Sequence, residues 1–149
     1  VDGHGIPLHD LIVERTDRPV HLIHGKVGVD VREEVRSIAE NSDNNIILGS
    51  YGTMSTGINI KRLHHVVFAS PSKSRVRVLQ SIGRGLRKGK GKDVCKLYDI
   101  ADDFRDGPYG KSNFTYRHLA ERIKFYVEEN FVYRINEIPL YTGEGEIDL

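Results

Sequence analysis

Val66-Val67-Phe68-Ala69 runs through Ser70-Pro71-Ser72-Lys73-Ser74 into a segment that closes with Gln80-Ser81-Ile82-Gly83-Arg84-Gly85-Leu86-Arg87. The first four residues are a continuous apolar run, the pattern of a strand buried on both faces, and such strands belong to parallel sheets covered by crossover helices. The rest reads as one of those helices. With Ser72 as N-cap and Gly89 as stop, a rotation of about 100° per residue puts Arg77, Gln80, Arg84 and Arg87 on one stripe and Val76, Leu79, Gly83 and Leu86 on another. The apolar stripe is expected to pack. The polar stripe is expected to stay free, with its last two arginines in the final turn, where forked guanidinium donors suit phosphate oxygens.

The same alternation extends outward on both sides. Val1 to Gly5 is a glycine-rich opening, Pro7 sits where a first helical turn tolerates it, and Leu8, Leu11 and Ile12 form an apolar face. Val20 to His24 reads as a strand, followed by a helix capped by Asp30 with Glu33, whose core face is Val31, Val35, Ile38 and Ala39. Asn41 to Asn45 ends that helix, Ile46 to Leu48 is a second buried strand, and Val94 to Ile100 supplies another. Strand alternating with helix predicts an α/β fold with a parallel sheet and helices on both faces. Because the chain opens on a helix, the first strand is expected ahead of Val1, as in a piece of a longer protein. Downstream, Asp106 to Gly110 reads as a linker, and Tyr116, Leu119, Ala120, Ile123, Val127 and Phe131 mark an amphipathic helix. Tyr133 to Leu149 reads as a tail, so the expected division is a domain over 1–105 and an extension over 106–149.

Composition narrows the function classes. A chain of 149 residues, 38% hydrophobic and 29% charged, has the balance of a globular domain rather than of a disordered segment. Its formal net charge is only +1, so any contact with nucleic acid depends on local clustering. Lys73 to Lys96 holds nine basic residues and one acid, Asp93. A lone cysteine, Cys95, rules out an intrachain disulfide and a cysteine-built zinc site, and a reducing compartment is the simpler expectation. No apolar run approaches the roughly 20 residues of a membrane span, and no signal-peptide pattern opens the chain.

Parallel sheets bind ligands at the carboxyl ends of their strands. Gly25, Lys26 and Gly28 follow the first strand, in a turn where backbone can approach a ligand closely. Gly49 to Asn59 follows the second, a loop with the hydroxyls of Ser50, Thr53, Ser55 and Thr56 available to phosphate. The third strand leads straight into the arginine helix, which is thereby expected beside the hydroxyl loop. Asp99, Asp102 and Asp103 look like a metal cluster on paper.

Three blocks in this order carry a resemblance: His24-Gly25 with Arg32, Ser50 to Asn59, and Gln80-x-x-Gly83-Arg84-x-x-Arg87. Together, over about residues 20 to 105, they resemble the second RecA-like domain of superfamily 2 helicases. Within that superfamily, Ser50-Tyr51-Gly52, Ser55-Thr56-Gly57-Ile58 and Ile82-Gly83-Arg84-Gly85-Leu86-Arg87-Lys88 are most like the phage recombination and repair helicases. The resemblance implies an ATP-dependent DNA helicase or translocase for branched or forked DNA, with ATP and magnesium held between this domain and an N-terminal RecA-like partner that supplies the metal ligands. It assigns Arg87 as the arginine finger, Arg84 as its γ-phosphate neighbour and Gln80 as a cleft residue. Gly57, Asn59 and Gly83 fall on nucleotide-contacting positions, and Gly25, Lys26, Ser50, Tyr51 and Thr53 on DNA-backbone contacts at the other end of the sheet. Asn59 departs from the aspartate of many relatives. Leu86 replaces a common glycine, which implies that the helix runs on undisturbed. A monomer in the cytoplasm, the host's if the source is a phage, follows from the same likeness, and the fragment alone is expected to be inactive. Two other readings remain open: an ATP-independent nucleic-acid-binding module, and the motor domain of a restriction or transcription-repair translocase.

Overall fold

In the computed structural model, which describes residues 3–56, 60–70, 72–87, 89, 91–105 and 110–139, helix and strand alternate through most of the chain. The order is α1 (Gly5–Val13), β1 (Val20–Ile23), α2 (Val29–Asn41), β2 (Ile46–Gly49), α3 (Tyr51–Thr56), β3 (His65–Phe68), α4 (Arg75–Gly85), β4 (Lys96–Asp99) and α5 (Phe114–Glu128). Both ladders are parallel, as the uninterrupted apolar runs predicted. Val20 to Ile23 faces Ile46 to Gly49, and His65 to Phe68 faces Lys96 to Asp99. Among the described residues these are two separate pairs of strands, β1-β2 and β3-β4, rather than one ladder.

Each pair carries its own core. Ile23, Val35, Ala39 and Ile60 are buried together, with Ile47, Met54 and Leu63 packed against them. Phe68, Val78, Ile82 and Tyr126 form the second cluster, joined by Tyr51, Val66, Leu97 and Ile123. Ile23 and Val78 are fully buried, and a side chain of that size stabilises the fold by about 1.5–3 kcal/mol. Tyr51 links the two halves. It starts α3 directly after β2, its ring lies 5.6 Å from that of Phe68, and its hydroxyl donates to the Ser70 carbonyl at 3.0 Å.

The helix faces differ from those expected. In α4 the buried residues are Val78, Ser81, Ile82 and Gly85, whereas Val76 and Leu86 are 63% and 61% exposed. The small Ser81 and Gly85 do not register in an apolar pattern, yet their size is what lets the helix lie close to the strands. In α2 Val35 and Ala39 are buried but Val31 is half exposed. Its cap is Gly28 rather than Asp30, because Glu33 is held by Arg36 at 2.8 and 2.9 Å and does not reach back to a capping box. Helix α4 begins after Ser74, two residues later than a Ser72 cap implies; Ser72 Oγ instead accepts the Ser74 N–H at 3.3 Å. The segment after β2 is helical, not an open loop: Ser50 Oγ accepts the Thr53 N–H at 3.3 Å and starts the turn. Asp106 to Tyr109 of the expected linker and residues 140–149 of the expected tail lie outside the described residues.

Helix α5 buries a polar stripe, His118, Arg122 and Tyr126, while Val127 of the expected apolar face is 57% exposed. The reason is Asp99 at the end of β4. Arg122, fully buried, donates through Nε and Nη2 to the two Asp99 oxygens at 2.7 Å each, and through Nη1 to the Ser72 carbonyl at 3.0 Å. The Tyr126 hydroxyl donates to Asp99 Oδ2 at 2.7 Å. Arg75 at the start of α4 adds ion pairs to Glu128 at 2.5 Å and Glu129 at 3.2 Å, half exposed and so worth under about 1 kcal/mol.

Two outcomes follow for stability. Arg122→Ala strips buried Asp99 of its two guanidinium donors, leaving it the Tyr126 hydroxyl, and takes the guanidinium from the Ser72 carbonyl; it is expected to lower the unfolding free energy by about 3–5 kcal/mol in urea melts. Burial, with the Asp99 hydrogen bond second, pushes the Tyr126 phenol up, and burial pushes Tyr51 up to about 12. Both phenols stay protonated in the folded state while the unfolded chain ionises near pH 10. The stability they contribute is present below about pH 10 and is lost as the pH rises through the folded values, so Tyr126→Phe is expected to shallow that alkaline decline by about one proton.

Candidate functional site

Helix α4 connects two parallel, neighbouring strands, so it must run back against them. Its C-terminal end therefore returns to the amino-terminal edge of β3 and β4. Gly85 shows this: a Cβ there would stand 2.8 Å from Cys95 Sγ, just before β4, and 3.3 Å from Val66 Cγ2, near the start of β3. The arginines thus lie at the edge opposite the strand carboxyl ends, a correction to the expectation that this chemistry gathers at the carboxyl edge. That rule describes the N-terminus of a crossover helix, not its far end.

Arg84 occupies the last turn of α4 and is partly exposed, while Gln80 and Arg77 are exposed on the preceding turns. The helix stops at Gly85, so Arg87 stands two residues past it rather than in the final turn. Its N–H donates to the Arg84 carbonyl at 3.3 Å, which folds the chain tightly over the helix end. Partial burial and then the charge of Arg87 lower the Arg84 pKa. Even so, a guanidinium stays charged at neutral pH. Two cations therefore share the negative end of the helix dipole. Gly83 is exposed, with nothing within 4 Å of where a Cβ would stand. Gly57 and Asn59 lie outside the described residues, as do Lys88 and Lys90.

The other candidates gather at the carboxyl edge of β1 and β2, where the register sets Ile23 beside Gly49. Gly25 and Lys26 are exposed in the turn after β1. The Gly25 carbonyl accepts Arg32 Nη2 at 3.1 Å, so the seven-residue spacing between them reflects the first turn of α2 folding back over the loop. Next to this turn, the Ser50 and Thr53 hydroxyls are 2.9 Å apart, with Thr53 buried and Tyr51 committed to Ser70. Of the acids that looked like a metal cluster, Asp99 is taken up by Arg122 and Tyr126, and Asp103 is bonded to Arg105 at 2.8 Å.

Sequence reading missed two residues at the arginine end. Gly85 fills a position where any side chain would meet Cys95. Lys92, from a run expected to be a solvated loop, is only 9% exposed and turns its ammonium onto backbone carbonyls. Nothing in the alternation of lysine and glycine distinguishes it from its neighbours.

Paired parallel strands, a crossover helix closed by two arginines and a polar turn at the opposite edge define a RecA-like domain. Residues 6–89 match the helicase conserved C-terminal domain, and the chain belongs to that family. It is 37% identical over 146 residues to the ATP-dependent DNA helicase uvsW of Enterobacteria phage T4, covering 93% of this chain and 29% of that protein. A protein of Acanthamoeba polyphaga mimivirus, whose name carries a provisional ATP-dependent RNA helicase assignment, is 30% identical over 126 residues, 81% of this chain and 24% of the relative. The chain spans less than a third of the length of these relatives. The crystal structure of the C-terminal part of the Fun30 ATPase domain has the same fold, with a TM-score of 0.54 at 16% identity over 83% of this chain and 45% of the other. Among the described residues no helix is long and apolar enough to cross a membrane.

The close approach at Gly85 has a measurable consequence. Gly85→Ala is expected to lower stability by about 1–3 kcal/mol through overpacking, and Cys95→Ala in the same chain to restore most of that loss. Thermal melts of the two single variants and the double variant would show it.

Proposed function

We propose that this chain is the C-terminal motor domain of an ATP-dependent helicase or translocase, and that its arginine end forms one side of an ATP site shared with an N-terminal RecA-like domain. The observation that carries this reading is the pair Arg84 and Arg87, two guanidiniums held near each other at one closed helix end. Like charges gathered this way are stabilised by a polyanion between them, and a triphosphate is one. Arg87, past the helix and exposed, is the finger: its fixed, forked donors would meet the charge that grows on the transferring phosphoryl oxygens, which a lysine could not match. Arg84, partly buried, would hold the γ-phosphate beside it. Gln80, one turn earlier, lines the same cleft with Gly83, and Gly57 with Asn59 contact the nucleotide. Magnesium, bound by acids of the other domain, would neutralise the phosphates as the bond breaks.

Nucleic acid is assigned to the opposite edge, at Gly25, Lys26, Ser50 and Tyr51; Thr53, buried with its hydroxyl against that of Ser50, shapes the turn rather than touching the strand. Contacts there are to backbone and position the strand without reading its sequence. With ATP chemistry at one edge and nucleic acid at the other, closure on the partner domain would move the strand. The DNA helicase name of the phage T4 relative favours DNA, and branched or forked DNA in recombination, fork rescue and repair is the proposed substrate.

The test uses the full-length protein. Arg87→Ala is expected to reduce nucleic-acid-stimulated ATP hydrolysis by about a thousandfold or more while leaving nucleic-acid binding intact. Hydrolysis near the unmodified rate would rule out the finger assignment, and hydrolysis stimulated by RNA in preference to forked DNA would move the substrate to RNA.

A further inference from the structure

We propose that Lys92 is a positioning residue for the ATP site, fixing the backbone at the end of α4 from which Arg87 projects; this rests on the reading of Arg87 as the ATP-site finger. Lys92 Nζ donates to the carbonyls of Lys61 at 3.2 Å and Arg87 at 2.9 Å, and to that of Gly85. An ammonium has three N–H donors, and here each meets a backbone oxygen. Gly85 and Arg87 belong to the helix end, where carbonyls lack intrahelical partners and carry the negative end of the dipole. A buried cation is tolerated at that point because the helix end supplies the compensating partial charge.

The third carbonyl makes the arrangement more than a cap. Lys61 follows Ile60, which is 2% exposed in the first core. Its own N–H donates to Glu40 Oε1 at 2.5 Å, and Arg62 Nη1 donates to the Glu40 carbonyl at 3.0 Å, so this segment is tied to the end of α2. Lys92 therefore joins the arginine end of the second core to a fixed point of the first. Gly89 sits so close to the same segment that a Cβ would stand 2.9 Å from the Lys61 carbonyl, and its own carbonyl accepts the Lys92 N–H at 3.2 Å. An apolar residue could fill the space but could not satisfy three converging carbonyls, and a planar guanidinium could not aim at all three. The carbonyl of Arg87 is one of the three. Releasing it frees the backbone from which the finger projects.

In the full-length protein, Lys92→Met keeps the stem and removes the donors. It is expected to lower kcat for nucleic-acid-stimulated ATP hydrolysis about tenfold or more, since small misplacements of a reacting group are costly. KM for ATP is expected to change by less than about threefold. In an Arg87→Ala background, read by single-turnover hydrolysis, the same substitution is expected to change the rate by less than about twofold, because it acts through Arg87. An equal fall in both backgrounds, or no fall in the unmodified background, overturns the proposal. Arg87→Ala alone tests the reading beneath: if it leaves hydrolysis unaltered, the ATP-site assignment fails and Lys92 has nothing to position. Should Lys92→Met not fold, Lys92→Gln, which keeps N–H donors at shorter reach, goes through the same two backgrounds and decides by the same criteria.

Discussion

A guanidinium with no exposure to water is held between β4 and the segment that leads into α4. Arg122 is tolerated there because Asp99 accepts from it twice and the Ser72 carbonyl takes a third donor. Isolated, either charge would cost several kcal/mol to bury; paired and hydrogen-bonded, they bind three parts of the chain that no apolar contact alone would fix in direction. The consequence runs along α4. Its approach segment is held by Arg122, its first residue by Glu128 and Glu129, its middle by Val78 and Ile82, and its end by Lys92. A helix restrained at so many points can hold two arginines at a constant place.

The parallel register then separates two groups of residues. After β1 the chain leaves the carboxyl edge through a polar turn and after β2 through the short helix α3, whereas α4 brings Arg84 and Arg87 to the amino edge. Tyr51, at the carboxyl edge, is bonded to Ser70, which precedes the arginine helix. The carboxyl edge of the first pair is thus tied to the segment that leads into α4.

Much of this was legible in the sequence, for identifiable reasons. Val66 to Phe68 and Ile46 to Leu48 announced parallel pairing through their unbroken apolar runs, although the expected cover on both faces fails in β3, where Val67 is 53% exposed among the described residues. The exposed stripe of Arg77 and Gln80 followed from spacing alone. What failed to show were features that depend on small or charged residues being buried. Ser81 and Gly85 turned the packing face of α4 away from Val76 and Leu86, and Arg122 turned that of α5 away from Val127. No periodicity rule counts a glycine or an arginine as core. Likewise Asp99 read as one acid among three until Arg122, 23 residues on, was seen to claim it.

Lys92 shows the same limit from the other side. In sequence it is the last of a run of basic residues separated by glycines, and such a run is ordinarily solvated. A glycine decides otherwise: Gly89 lets its backbone come so near the Lys61 carbonyl that this oxygen and those of Gly85 and Arg87 converge on one ammonium. Converging carbonyls suit a cation, and Lys92 supplies it. The near-neutral total charge of +1 therefore conceals a division of labour within the basic cluster, where one lysine faces inward to hold the helix end while the arginines before it remain at the surface. A count of charges measures neither role; the direction each side chain takes is set by how closely the backbone behind it is packed.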